Sequence, residues 1–154
     1  MPATMSTPTP LIGALSPLVG YHLRRASGVF AADFAAAVEG TGMRQVLIGI
    51  LAVVAASPGI NQGAVGRILG IKRANMVSLI NELIDAGLIV RETDPTDRRA
   101  FTLAVSSEGT AMLDECTQRI EAHEEQLLAG FSAAEKAMLL DLLGRIEKRA
   151  TPAD

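Results

Sequence analysis

The 154 residues suffice for one domain with a packed core and are too few for two ordinary ones. Apolar residues make up 49% and charged residues 20%, which excludes a disordered chain; with aromatics at 3%, the core must be Ala, Leu, Ile, Val and Met, a set that suits helices. The net charge of −3 argues against a uniformly basic nucleic-acid binder, but it averages over unlike parts: residues 1–60 and 61–100 each carry one net positive charge, and residues 101–154 carry five net negative ones.

In chain order, residues 1–10 (MPATMSTPTP) are rich in Pro and Thr and read as a flexible arm. They lack the basic start, apolar run and cleavage site of a signal peptide. From Leu11 to Val38 a long helix is predicted, since Leu15, Leu18, Val19, Leu23, Phe30, Phe34 and Val38 recur at spacings of three and four. Gly40 and Gly42 interrupt it. A second helix spans Arg44 to Ala56, apolar nearly all round and therefore buried. Its apolar stretch from Val46 to Ala56 is about half of the ~20 residues needed to cross a bilayer, so no membrane is expected.

A short helix follows from Asn61 to Leu69, with Asn61 as N-cap and Gly70 as left-handed stop. Arg73 to Ala86 makes another, with Met76, Leu79, Ile80 and Leu83 on one face and Gly87 at its end. Leu88–Glu92 and Ala100–Ala104 read as strands joined by Thr93–Arg99, whose Asp-Pro-Thr-Asp core is turn chemistry. Long helices from Ser107 to Leu128 and from Ala133 to Arg149 complete the chain, the last opened by a Ser132/Glu135 capping box.

Two short helices joined at a glycine and followed by a hairpin have the order of a winged helix-turn-helix, in which the second helix enters the major groove of DNA and the hairpin reaches the neighbouring backbone or minor groove. The outward face of Arg73–Ala86 presents Arg73, Ala74, Val77, Ser78 and Asn81, with Asn75 at its edge. Arg and Asn bond base edges in pairs, Ser reaches base or phosphate, and Val packs on a thymine methyl. Residues 66–81 hold Arg67, Lys72 and Arg73 and no acid. Lys72 occupies the position where Ser, Thr, Asp or Asn would cap the helix. A cation there opposes the helix dipole and leaves backbone N–H groups free, which a phosphate would use. A solvated lysine in a loosely capped helix is the plainer alternative.

Three ordered stretches, Gln62–Leu83, Asp85–Arg91 and Asp94-Pro95-Thr96-Asp97-Arg98-Arg99 followed by Leu103 and Ser106–Gly109, resemble the MarR family of winged helix-turn-helix regulators. The Asp-x-x-Asp-Arg-Arg wing is the most specific of these. The resemblance covers nearly everything after residue 11. It implies a mainly helical fold with N- and C-terminal dimerisation helices (11–43 and 107–154) around a winged-helix lobe (44–104) with a two-stranded wing. It further implies a homodimer on a palindromic operator in double-stranded DNA, acting as a repressor released by a small molecule. By position, Arg73, Asn75, Ser78 and Asn81 fall on the recognition helix and Asp97, Arg98 and Arg99 on the wing. One wing arginine would enter a narrow minor groove while Asp97 orients the other. The bland readings are a turn-forming Asp97 and solvated arginines. Gly66 departs from the usual Ala, and Val77 and Ser78 replace more polar positions, so base preference does not transfer.

The cluster Tyr21, His22, Arg24 and Arg25 lies on an otherwise apolar helix, where it could face an effector pocket. An arginine could pair with a carboxylate or phosphate and Tyr21 could pack on a ring. The segment looks like those of regulators of aromatic-acid breakdown, which implies an aromatic acid or its CoA thioester as ligand. A solvated surface with one hydrogen-bonded His is the alternative. Cys116, the single cysteine, excludes a disulfide framework and a Cys-rich zinc site, and together with the missing leader suggests the cytoplasm. With Met112 and Ile120 four residues away on either side, it reads as core packing more than as a redox sensor. His123 reads as structural, and no metal or cofactor is expected. Gly63, Gly66 and Gly70 form no phosphate loop, and no nucleophile with a base is visible, so an enzyme is disfavoured. A winged-helix module for protein contacts is the nearer alternative.

Overall fold

The computed structural model describes residues 12–150, so the arm read over 1–10 lies outside the described residues. A 3-10 turn at Gly13–Leu15 leads into α1 (Val19–Ala37), followed by α2 (Gln45–Ala56), α3 (Gln62–Leu69), α4 (Arg73–Asp85), β1 (Ile89–Thr93), β2 (Phe101–Val105), α5 (Ser107–Leu127) and α6 (Ala133–Glu147). The first helix therefore starts eight residues later than its apolar spacing suggests. Pro17 has no N–H to give to the helical ladder, and Leu18 turns extended (φ −87°, ψ 107°) to become the N-cap of α1.

The central helices end where local chemistry stops them. The Asn61 Oδ1 accepts from the Ala64 N–H at 2.9 Å and opens α3. Gly70 and Gly87 take positive φ (66° and 74°), a conformation that costs glycine little. The Ile71 N–H then closes on the Gly66 carbonyl at 2.8 Å, and the Leu88 N–H on that of Leu83 at 2.9 Å. Leu88 is thereby committed to the cap of α4, and β1 begins at Ile89. The Ala100 N–H likewise goes to the Asp97 carbonyl at 3.1 Å, closing the wing loop and moving the start of β2 to Phe101. The strands pair antiparallel with Ile89 opposite Val105 and Thr93 opposite Phe101. A single bond from the Leu103 N–H to the Ile60 carbonyl (2.9 Å) ties β2 to the segment ahead of α3.

The core is built on α2, whose Leu47, Ile50, Leu51 and Val54 are buried against Val65 of α3, Met76, Ile80 and Leu83 of α4, Ile89 and Leu103 of the hairpin, and Cys116 of α5. Cys116 is fully buried, with its thiol 3.9 Å from the Met112 sulfur, and burial pushes its pKa up. This keeps it a neutral packing group. His123 reaches from α5 to the Asp33 carboxylate of α1 at 3.1 Å. The capping box of α6 is formed in both directions. No residue of α6 is buried, and Leu18, Val19, Leu23, Met138, Leu140 and Ile146 leave a broad apolar surface on the two chain ends. No helix among the described residues is long and apolar enough to cross a membrane.

Candidate nucleic-acid interface

The α3–turn–α4 unit is held at very close range. A methyl built on Gly66 would lie 3.0 Å from the Ile71 carbonyl oxygen and 3.0 Å from the Met76 Cγ. Glycine thus lets α4 sit directly on α3, and an alanine there would force a small outward shift. With Met76, Ile80 and Leu83 inward, α4 exposes Arg73, Ala74, Asn75, Val77, Ser78 and Asn81. Lys72 is its N-cap, with extended backbone (φ −61°, ψ 141°) and no side-chain cap. The Lys72 carbonyl takes the Asn75 and Met76 N–H groups, leaving the first-turn amides of Arg73 and Ala74 pointing outward. No acid lies in this first turn. The arrangement offers an anion three things at once: a cation, free donors and the positive end of the helix dipole.

Not every group on the exposed face is free. The Ser78 hydroxyl donates back to the Asn75 carbonyl at 3.1 Å. Arg91 of β1 donates through Nη2 to the Asn81 Oδ1 at 2.9 Å. Next along α4, Glu82 is gripped by both terminal nitrogens of Arg44, at 2.6 and 2.8 Å, and these hydrogen bonds hold its carboxyl below the usual carboxylate range. Glu82 shares a helical stripe with Asn75 and Ser78, so Arg44 neutralises the acid nearest that face. Arg67 is exposed on α3, its guanidinium 3.5 Å from where a Gly63 methyl would stand.

The wing tip is shaped by side chain to backbone bonds. The Asp94 Oδ1 accepts from the Thr96 N–H (2.8 Å) and hydroxyl (2.6 Å), and the Asp97 Oδ1 accepts from the Arg99 N–H at 2.9 Å. Asp97 therefore orients Arg99 through its backbone; neither Arg98 nor Arg99 is ion-paired among the described residues, and both are exposed. Without DNA, Asp97 bonds the amide two residues on, as turn-forming aspartates do. The Thr96 hydroxyl, then its amide, hold the Asp94 carboxyl below its ordinary range. A depressed pKa contributes order above the unfolded value and loses it as pH falls through the folded one. Acidification should therefore release the Thr96 amide, seen as lost exchange protection and a collapsed NMR shift, while α4 amides stay protected; simultaneous loss in both places would show that the tip has no independent transition.

Arg91 and the Arg44–Glu82 pair escaped the sequence reading. For Arg91 a signal existed: alternation from buried Ile89 places it on the hairpin face that packs towards α4. For Arg44 and Glu82, 38 residues apart, there was none.

The cluster read as an effector site is only partly assembled. Tyr21 is half-buried, edge-on to His22 at 5.7 Å, with the Arg25 guanidinium 5.9 Å from its ring centre. The His22 Nε2 donates to the Ser16 carbonyl at 2.8 Å, tethering the chain entry to α1. Arg24 is exposed. Two clefts lie further along α1, one of about 380 Å³ lined by residues including Phe34, Val38, Met43 and Arg44, the other of about 330 Å³ lined by residues including Phe30, Asp33, Ile120 and Glu124. Neither is lined by Tyr21, His22, Arg24 or Arg25; among the described residues the first half of α1 is largely exposed.

Comparison with known proteins places these features in company. A model of the MarR family matches residues 46–100. The chain is 34% identical over 145 residues to a protein of Thauera aromatica named as a candidate transcriptional regulator for the hcr operon, covering 92% of this chain and 87% of that one. Among solved structures it is similar to the transcriptional repressor CouR bound to a 23-mer DNA duplex (TM-score 0.83, 32% identity, 88% of this chain and 96% of that one). It is also similar to CouR from Rhodococcus jostii RHA1 bound to p-coumaroyl-CoA (TM-score 0.77, 30% identity, 90% and 98% covered).

Proposed function

The chain belongs to the MarR family of transcription regulators, and on that premise we propose that it is a homodimeric repressor that grips a palindromic operator and is released by a small aromatic effector. The apolar faces of α1 and α6 would join two copies, within a single domain whose ends (11–43 and 107–154) dimerise and whose lobe (44–104) binds DNA. Two α4 helices would enter successive major grooves ~34 Å apart. Arg73, Asn75, Ser78 and Asn81 are the base and phosphate readers, Lys72 and Arg67 phosphate contacts, and Arg98 and Arg99 the pair of which one reaches the minor groove from the tip that Asp97 shapes. The protein acts by binding, in the cytoplasm, and makes or breaks no bond.

One observation carries this reading. The first turn of α4 holds no acid, the hairpin tip carries two exposed arginines, and Arg91 of that hairpin is bonded to Asn81 of α4. The p-coumaroyl-CoA bound by one structural relative supports an aromatic acid or its CoA thioester as effector class. Tyr21, His22, Arg24 and Arg25 would contribute once a partner's helix supplies a facing wall. A ligand releases the operator only by favouring the state that does not fit DNA.

The test is fluorescence anisotropy on duplexes from upstream of the gene itself. Six or more phosphate contacts predict a loss of affinity of about a thousandfold or more between 50 and 200 mM salt. Adding p-coumaroyl-CoA or aromatic acids should lower affinity further at fixed salt. Binding that ignores both DNA and salt would instead identify a protein-contact module.

A further inference from the structure

Asn81 offers DNA two different hands. The carboxamide Oδ1 is an acceptor and Nδ2 carries two donors, so a freely rotating asparagine can pair with adenine through both or flip to suit another base. In this chain it does not rotate freely. Arg91 donates from Nη2 to the Asn81 Oδ1 at 2.9 Å, and a guanidinium has only donors. Flipping the amide would set its NH2 against Arg91, donor to donor. The oxygen is therefore held towards β1, and the Nδ2 donors are left for the open side of α4.

We propose that Arg91 is a specificity-positioning residue: by fixing the Asn81 amide it makes that side chain present its donors to the strand it faces, where it accepts guanine, adenine or thymine and disfavours cytosine. The chemistry follows from the major-groove edges. Guanine shows N7 and O6, adenine N7 and thymine O4, all acceptors, whereas cytosine shows only its N4–H2 donor. The assignment rests on the DNA-binding reading above and adds to it one disfavoured base at one position in each half-site. Arg91 does this from the hairpin, without touching the base. It also makes the wing root and the reading helix share a contact, since Arg91 lies on β1 opposite Leu103, whose N–H is bonded to Ile60.

Selection from a pool of randomised duplexes, followed by anisotropy on single-base variants, tests the assignment. The wild-type chain should disfavour cytosine at one position of each half-site by about tenfold or more. Arg91→Ala should admit cytosine there, because the freed amide can turn its oxygen outward, while preference elsewhere stays as it was. Arg91→Lys, which keeps a donor, should restore the preference against cytosine, and Asn81→Ala should erase preference at that same position. Melting curves establish that each variant is folded. A uniform loss of affinity in Arg91→Ala with base preference intact would overturn the proposal, making Arg91 a phosphate contact. Failure of the wild-type chain to bind any duplex would overturn the DNA-binding reading itself, a separable result.

Discussion

Gly109→Ala should lower the midpoint of urea unfolding by about 1 M or more, the largest loss expected from any glycine-to-alanine change among the described residues. A Cβ built on Gly109 would lie 2.1 Å from the Leu88 carbonyl oxygen, 2.7 Å from the Val105 Cγ1 and 3.0 Å from the Leu88 carbonyl carbon. The obstacle is mostly backbone, and that backbone is pinned. The Leu88 N–H is spent on Leu83, and its carbonyl takes the Ser106 N–H at 3.1 Å. Ser106, the N-cap of α5, donates its hydroxyl to the Gly87 carbonyl at 2.6 Å and accepts from the Gly109 N–H at 3.0 Å. No side-chain rotation relieves such a clash, so α5 or the hairpin must move. Overpacking costs about 1–3 kcal/mol and occasionally more, against at most ~1 kcal/mol regained in helix propensity. Equilibrium unfolding followed by circular dichroism checks the result. An unchanged midpoint would mean that the root of the hairpin slides off α5 at no cost.

Replacing both wing arginines, Arg98→Ala with Arg99→Ala, should weaken operator binding on the order of a hundredfold without lowering the melting temperature. Both are exposed on a loop whose shape is made by Asp94 and Asp97, so the fold has no stake in their side chains. Among the described residues neither is held in an ion pair that it must leave to meet DNA. If one guanidinium enters a narrow A·T groove, the loss should concentrate on operators with such a tract. If both touch phosphate only, the loss should be even across sequences and the salt slope should fall by roughly 3–4, since each of two protomers loses two contacts. Unchanged affinity would leave the two arginines as solvated ornaments of the loop and remove the wing from the interface.

Features written in neighbouring residues were legible before the fold was known. Asn61, Gly70, Gly87 and the Ser132/Glu135 pair each act on a backbone group within a few positions, and each does so here. The buried and open faces of α4 follow from its period alone. The start of α1 was misread because the apolar spacing runs on across Pro17, and periodicity does not register a missing N–H. Each strand came out one residue early, since Leu88 and Ala100 look like strand residues and are used by a cap and a turn. The contacts that refine the site were harder. Arg91 meets Asn81 across 10 positions, and Arg44 meets Glu82 across 38, so both depend on how the helices and hairpin are packed. The clefts along α1 are bounded by helices far apart in sequence, and nothing in Tyr21–Arg25 foretells where a second wall stands.

The hairpin also has a length, and length decides where its tip can go. Each arm has five residues, which at about 3.3 Å apiece carry the turn roughly 16 Å from its root. Along B-form DNA, the step from the middle of one groove to the middle of the next is half a helical turn, about 17 Å. If α4 occupies one groove as proposed, a hairpin of this length would deliver its tip to the adjoining one, and shortening each arm by a residue pair would leave that tip stranded over the intervening strand.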